Sequence, residues 1–229
     1  GVLLRQAAPV FVCRTELAGP EGRLAPLTVR VAPQCTVSGT MVTLPGDFAA
    51  DGELREWSGS PYTLGRFDQS SQGNGRRLTP DDAAGSVFVG VRGDTVCVAV
   101  SITDDHWLTS PVPGDEVTIR CSAEGTGLFE VVLDGEGKHR STDERGTVLG
   151  VVGVQFAQPR MNAEICLPEG LTRRARAAGA LQVEVTFRDR DPEDSGEVVL
   201  VLSGGSEEVD DQPSYARFFF PGGNERRER

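Results

Sequence analysis

Apolar and polar positions alternate along most of the chain beyond residue 86. In the run Val96 to Ile102, Val96, Val98, Val100 and Ile102 fall on one side, and Cys97, Ala99 and Ser101 on the other. A period of two with a β-branched stripe predicts a half-buried antiparallel strand. Ser86 to Val91 reads as the strand before it, and Arg92-Gly93-Asp94-Thr95 as the tight turn of a hairpin. The pattern recurs in Val117, Ile119 and Cys121, in Leu128 to Leu133, in Val148 to Phe156 and in Glu164 to Leu167, which stops at Pro168. It continues in Leu181, Val183, Val185 and Phe187, then in Val198 to Leu202 and Ala216 to Phe220. Many short strands broken by Gly/Pro turns predict an all-β fold, an antiparallel, jelly-roll-like β-sandwich.

One helix is expected, over Leu171 to Ala178, with Gly179 as its stop. Its arginines Arg173, Arg174 and Arg176 read as a solvated face. The first 45 residues differ in character. Pro9 to Cys13 and Leu27 to Val31 read as strands around the loop Ala18 to Gly22. They predict a β-hairpin extension or the end of a preceding domain, with the sandwich over residues 46–221 and a charged, disordered tail over 222–229.

Composition narrows the function classes. Of 229 residues, 28 are Gly and 14 are Pro, which favours turns over long helices. Lys and Arg number 23 against 34 Asp and Glu, a net charge of −11. An acidic surface repels nucleic acid and anionic lipid, and it offers carboxylates to Ca²⁺. No stretch approaches the ~20 apolar residues of a membrane span. The chain opens on Gly1 without a visible signal peptide, as expected of a mature or excised piece. The bias to Arg over Lys and to Ala, Gly and Val fits a high-GC bacterial source.

Ahead of the strand series stands Asp51-Gly52-Glu53-Leu54-Arg55-Glu56-Trp57. Asp-Gly is a turn signal, and Leu54 and Trp57 are spaced to enter one core. The motif resembles the opening of the family 9 carbohydrate-binding modules and their DOMON-like relatives. Further segments resemble that family in order: Gly93 to Val100 with Thr103-Asp104-Asp105, Gly114 to Ile119, Ala163 to Pro168, Phe187 to Asp191, and Tyr215 to Phe220. The resemblance leaves residues 1–45 uncovered. It implies a β-sandwich that binds a glycan without catalysis, in an exported or cell-surface protein. The alternative is a protein–protein interaction or structural module of a bacterial envelope assembly that has lost sugar binding.

Sugar binding calls for flat aromatic faces and polar side chains for the hydroxyls. Trp57 reads as a buried structural aromatic. Trp107, in Asp104-Asp105-His106-Trp107-Leu108, reads as an exposed stacking residue, with His106 and Tyr62 as further ligand contacts. Asp189, Asp191 and Asp194 supply hard oxygens for a structural Ca²⁺, and Asp104, Asp105 and Asp115 make a second acidic cluster. Some DOMON-like domains hold haem through Met and His; here Met41, Met161, His106 and His139 are the only such residues, and haem is not expected. Neither a G-x-S-x-G elbow nor a phosphate-binding loop occurs, so an enzyme is not expected. Cys13 with Cys35, and Cys97 with Cys121, are candidate disulfides of an oxidising compartment; buried free thiols are the other reading.

Overall fold

The structure, a computed structural model, describes residues 11–15, 18–19, 22–23, 27–31, 37–67, 83–109, 114–123, 126–143, 151–190, 198–202 and 215–222. The chain divides into two compact units, residues 1–35 and 36–229. In the first, strands β1 (Phe11–Thr15) and β4 (Leu27–Val31) pair antiparallel. Between them in sequence, β2 (Ala18–Gly19) and β3 (Gly22–Arg23) form a second small ladder.

The second unit is a sandwich of two sheets. Its strands are β5 (Ser38–Thr40), β6 (Val42–Thr43), β7 (Tyr62–Thr63), β8 (Gly65–Phe67), β9 (Ala83–Arg92), β10 (Thr95–Asp104), β11 (Glu116–Ala123) and β12 (Thr126–Asp134). They continue with β13 (His139–Asp143), β14 (Val151–Ala157), β15 (Arg160–Cys166), β16 (Ala180–Asp189), β17 (Val198–Val201) and β18 (Ala216–Phe219). One sheet runs β14-β15-β10-β9-β6, with β7 also on β9. The other runs β13-β12-β11-β16-β17-β8, with β18 on β16 and β5 on β18. All pairings are antiparallel except β5 with β18 and β6 with β9. Residues 38–43, which the hydropathy pattern leaves ahead of the main domain, are thus strands of the sandwich itself.

The stripes read from the sequence become the core. Val96, Val98, Val100 and Ile102 of β10 pack in one buried cluster with Val117, Ile119 and Cys121 of β11 and with Leu181, Val183, Val185 and Phe187 of β16. Cys97 and Cys121, weighed above as a pair, lie on strands of different sheets. Cys121 points into this core, whereas Cys97 belongs to a second cluster on the other face of β10. Alternation puts adjacent residues on opposite faces, so Cys97 cannot share the side of Val96 and Val98.

That second cluster holds Leu44, Phe48, Trp57, Cys97 and Ala99. Trp57 meets Phe48 edge-on at 5.6 Å and lies tilted against Phe88 at 5.9 Å, the buried structural role expected of it. The Asp51–Trp57 segment includes a single 3₁₀ turn, Leu54–Glu56. It is fastened by Glu164 of β15, which is wholly buried. One carboxylate oxygen of Glu164 accepts the backbone N–H groups of Asp51 (2.9 Å) and Gly52 (2.8 Å); the other accepts Trp57 Nε1–H (2.6 Å). Burial pushes the carboxyl upward from its ordinary pKa, and the three donors pull against that shift. Gly52 has φ of +86°, and a Cβ there would strike the backbone of Val154 and Gln155, so the turn demands glycine.

The helix α1 (Glu169–Ala178) forms as expected and buries Leu171, Thr172 and Ala175. It stops at Gly179, in the left-handed conformation with φ of 78°. Arg173, Arg174 and Arg176 are all exposed, the solvated face expected of them, and Arg176 also donates to the Gly93 carbonyl and lies over the Phe220 ring.

Two substitutions test this layering. Glu164→Ala strips the acceptors from three N–H groups, two of them buried, and is expected to cost about 2–5 kcal/mol in a denaturant titration. Leu128→Ala, at the exposed position on β12, is expected to stay within about 0.5 kcal/mol of wild type.

Candidate cation and ligand site

The acidic residues converge at one end of the sandwich. β11 and β16 pair with Glu116 opposite Arg188, so Asp115 and Asp189 follow as neighbours one step beyond. Asp104 closes β10, opposite Ala83. Carboxylate oxygens of Asp104, Asp115 and Asp189 lie within 4.8 Å of one another, and all three residues are buried. The triad therefore takes one or more members from each acidic cluster seen in the sequence. Asp105 is exposed and stands outside it. Asp191 and Asp194 fall outside the described residues.

Three buried carboxylates repel one another unless donors or a cation offset them. Part of the offset is backbone. Asp115 Oδ1 accepts the Arg190 N–H at 2.8 Å, and Oδ2 accepts the Leu108 N–H. The Asp115 N–H returns to the Leu108 carbonyl at 3.0 Å. Asp104 Oδ1 accepts the His106 N–H at 3.2 Å, and the Arg190 guanidinium donates to the Gly114 carbonyl. Asp115 thus ties the 104–108 turn, the start of β11 and the end of β16 into one node. An oxygen-only set of this kind could hold a metal ion, and by chemistry a hard one.

The expected ligand residues fare differently. Trp107 is not an exposed platform: it is buried at 6% exposure. Its indole N–H donates to the Pro159 carbonyl at 3.0 Å, and its rings pack against Phe156 (5.6 Å) and Phe187 (5.5 Å). Burying its large apolar area against two phenylalanines, with the indole N–H paired, outweighs exposure. His106 stays exposed, with Nδ1 3.3 Å from an Asp105 oxygen. Tyr62 lies elsewhere, opposite Val87 midway along β9. It is half-buried against Phe218 at 4.9 Å, with its hydroxyl bonded to the Thr40 backbone and its pKa raised by burial. The structure gathers Asp104, His106, Trp107, Asp115 and Asp189 at one end and leaves Tyr62 apart. Among the side chains whose burial is described, no Phe, Tyr or Trp is exposed.

Sequence reasoning missed Pro159 and Arg190, whose backbone groups hold this end together. The strand-turn-strand pattern of Phe156 to Asn162 was the available signal for Pro159; Arg190 carried none.

No protein-family model matches the chain, and no curated protein matches it. Solved structures share its fold. A family 9 carbohydrate-binding module from Caldicellulosiruptor kristjanssonii, in complex with cellotriose, superposes with a TM-score of 0.53 at 11% identity, covering 80% of this chain and 93% of that one. A protein from Bacteroides uniformis, provisionally described as carbohydrate-binding, does so with a TM-score of 0.56 at 10% identity, covering 80% of this chain and 99% of that one. The chain has the fold of family 9 modules, as its motif order implied. No helix among the described residues is long and apolar enough to cross a membrane.

Trp107→Ala distinguishes a core tryptophan from a platform. Loss of its packing is expected to cost about 3–5 kcal/mol by chemical denaturation; an exposed stacking residue would cost under about 0.5 kcal/mol.

Proposed function

We propose that this chain is a non-catalytic glycan-binding module working outside the cytoplasm. The observation that carries the reading is the fold it shares with a module solved with cellotriose. Because one fold serves many functions, the reading needs a site. The 104–108 turn supplies one. His106 and Asp105 project from it, and the buried triad beneath sets its shape. With Trp107 committed to the core, contact is made by hydrogen bonds rather than by stacking: sugar hydroxyls donate to the Asp105 carboxylate and pair with the His106 imidazole. The proposed site leaves out Tyr62, which stands opposite Val87 on β9.

The triad is proposed to hold Ca²⁺. Asp104, Asp115 and Asp189 would be its side-chain ligands; the ion would supply positive charge where three carboxylates meet. Its role would be to stiffen the turn that carries His106. Addition of Ca²⁺ well above its dissociation constant should raise the melting temperature by several degrees, and Asp189→Asn should remove that response. An unchanged melting curve would count against the cation.

The glycan reading is tested by titrating cello-oligosaccharides and a broad glycan panel into isotopically labelled protein, with and without Ca²⁺. Saturable shifts centred on residues 104–108, lost in His106→Ala, are expected. No shift with any glycan in a folded protein would overturn it. A second reading, a protein-binding scaffold, is favoured by the burial of both tryptophans; recovery of one stoichiometric protein partner together with a silent glycan panel would support it.

A further inference from the structure

β10 and β15 are interior strands of the six-stranded sheet, and their register sets Cys97 directly opposite Cys166. The two Sγ atoms are 3.1 Å apart, about 1 Å longer than an S–S bond. Two cysteines facing each other across an antiparallel pair can be bridged with little backbone movement. Their surroundings are asymmetric. Cys97 is fully buried in the cluster with Phe48 and Trp57, whereas Cys166 is only partly covered. An oxidant therefore reaches Cys166 first. The hydrogen bond between the two sulfurs is the largest influence, lowering the Cys166 pKa and raising that of Cys97; burial raises both. Arg92 favours a thiolate at either sulfur, against the opposing charge of Glu164. Cys121, by contrast, sits alone in the core with its pKa pushed up to about 12 by burial.

We propose that Cys97 and Cys166 form a redox-active dithiol that closes to a cross-strand disulfide by exchange with a small-molecule or protein disulfide. The Cys166 thiolate attacks one sulfur of the oxidant, RSSR, releasing RS⁻ and leaving a mixed disulfide. Cys97 gives up its proton and attacks the Cys166 sulfur, releasing the second RS⁻. The two cysteines lose two electrons and two protons, and RSSR is reduced to two RSH. The bond joins residues 69 apart in sequence and anchors the sheet directly beneath the Asp51–Trp57 cover.

The test incubates the folded, reduced protein with oxidised glutathione, alkylates the remaining thiols, and maps the digest by mass spectrometry. The expected product is the Cys97 peptide linked to the Cys166 peptide, two hydrogens lighter than the free pair and restored by dithiothreitol. The melting temperature should rise by roughly 5–15 °C. Cys166→Ser, checked for folding by circular dichroism, should abolish both the link and the rise. Glutathione retained on Cys166 with Cys97 still a free thiol would overturn the proposal, as would linkage of either residue to another cysteine of the chain.

Discussion

Strand β10 is buried on both of its faces, and much of the second unit is arranged around that constraint. Its inner face, Val96 to Ile102, is one wall of the sandwich core. Its outer face carries the small side chains Cys97 and Ala99, which need a lid. The segment from Leu44 to Trp57 is that lid, and the Glu164 carboxylate on the neighbouring strand holds it by three hydrogen bonds. A buried carboxylate is tolerated because each oxygen has donors; without them its desolvation would be destabilising. Gly153 extends the same fit, since a Cβ there would strike the backbone of Ala50 and Asp51.

This arrangement commits both tryptophans to packing. Trp57 closes the outer layer, and Trp107 closes the end of the inner core against Phe156 and Phe187. The exposed groups on the turn at that end are polar: a histidine and an aspartate, on a turn held by Asp115. The acidic triad and the turn are parts of one node, so cation binding and presentation of His106 would be coupled. The cysteine pair lies elsewhere, across β10 and β15 under the lid.

The strands were legible because period-two alternation is a local property. Val96 to Ile102, Val117 to Cys121 and Leu181 to Phe187 each declared their inner face without help from the rest of the chain. The double burial of β10 was not legible, because Cys97, Ala99 and Ser101 look like a weak solvent face until the lid is known. Trp107 misled for a related reason. Its acidic neighbours predict exposure, and only the Pro159 carbonyl and two distant phenylalanines draw it inward. The acidic residues were visible as two sequence clusters, but the pairing of β11 with β16 sets Asp115 beside Asp189, and the end of β10 in the other sheet adds Asp104 and leaves Asp105 at the surface. Likewise, Cys97 meets Cys166 only through the register of β10 on β15. In each case the deciding contact is long-range, and no local pattern encodes it. Asp191 and Asp194 lie outside the described residues, so only Asp189 of that loop is placed.

Both tryptophans are buried and serve packing. Acrylamide quenching of tryptophan fluorescence in the native protein tests this directly. Buried indoles should give a blue-shifted emission and quenching several-fold weaker than in the denatured chain, for wild type and for a Trp57→Phe variant that reports Trp107 alone. Red-shifted emission with near-complete quenching of Trp107 in the folded variant would place that ring in solvent and contradict the account.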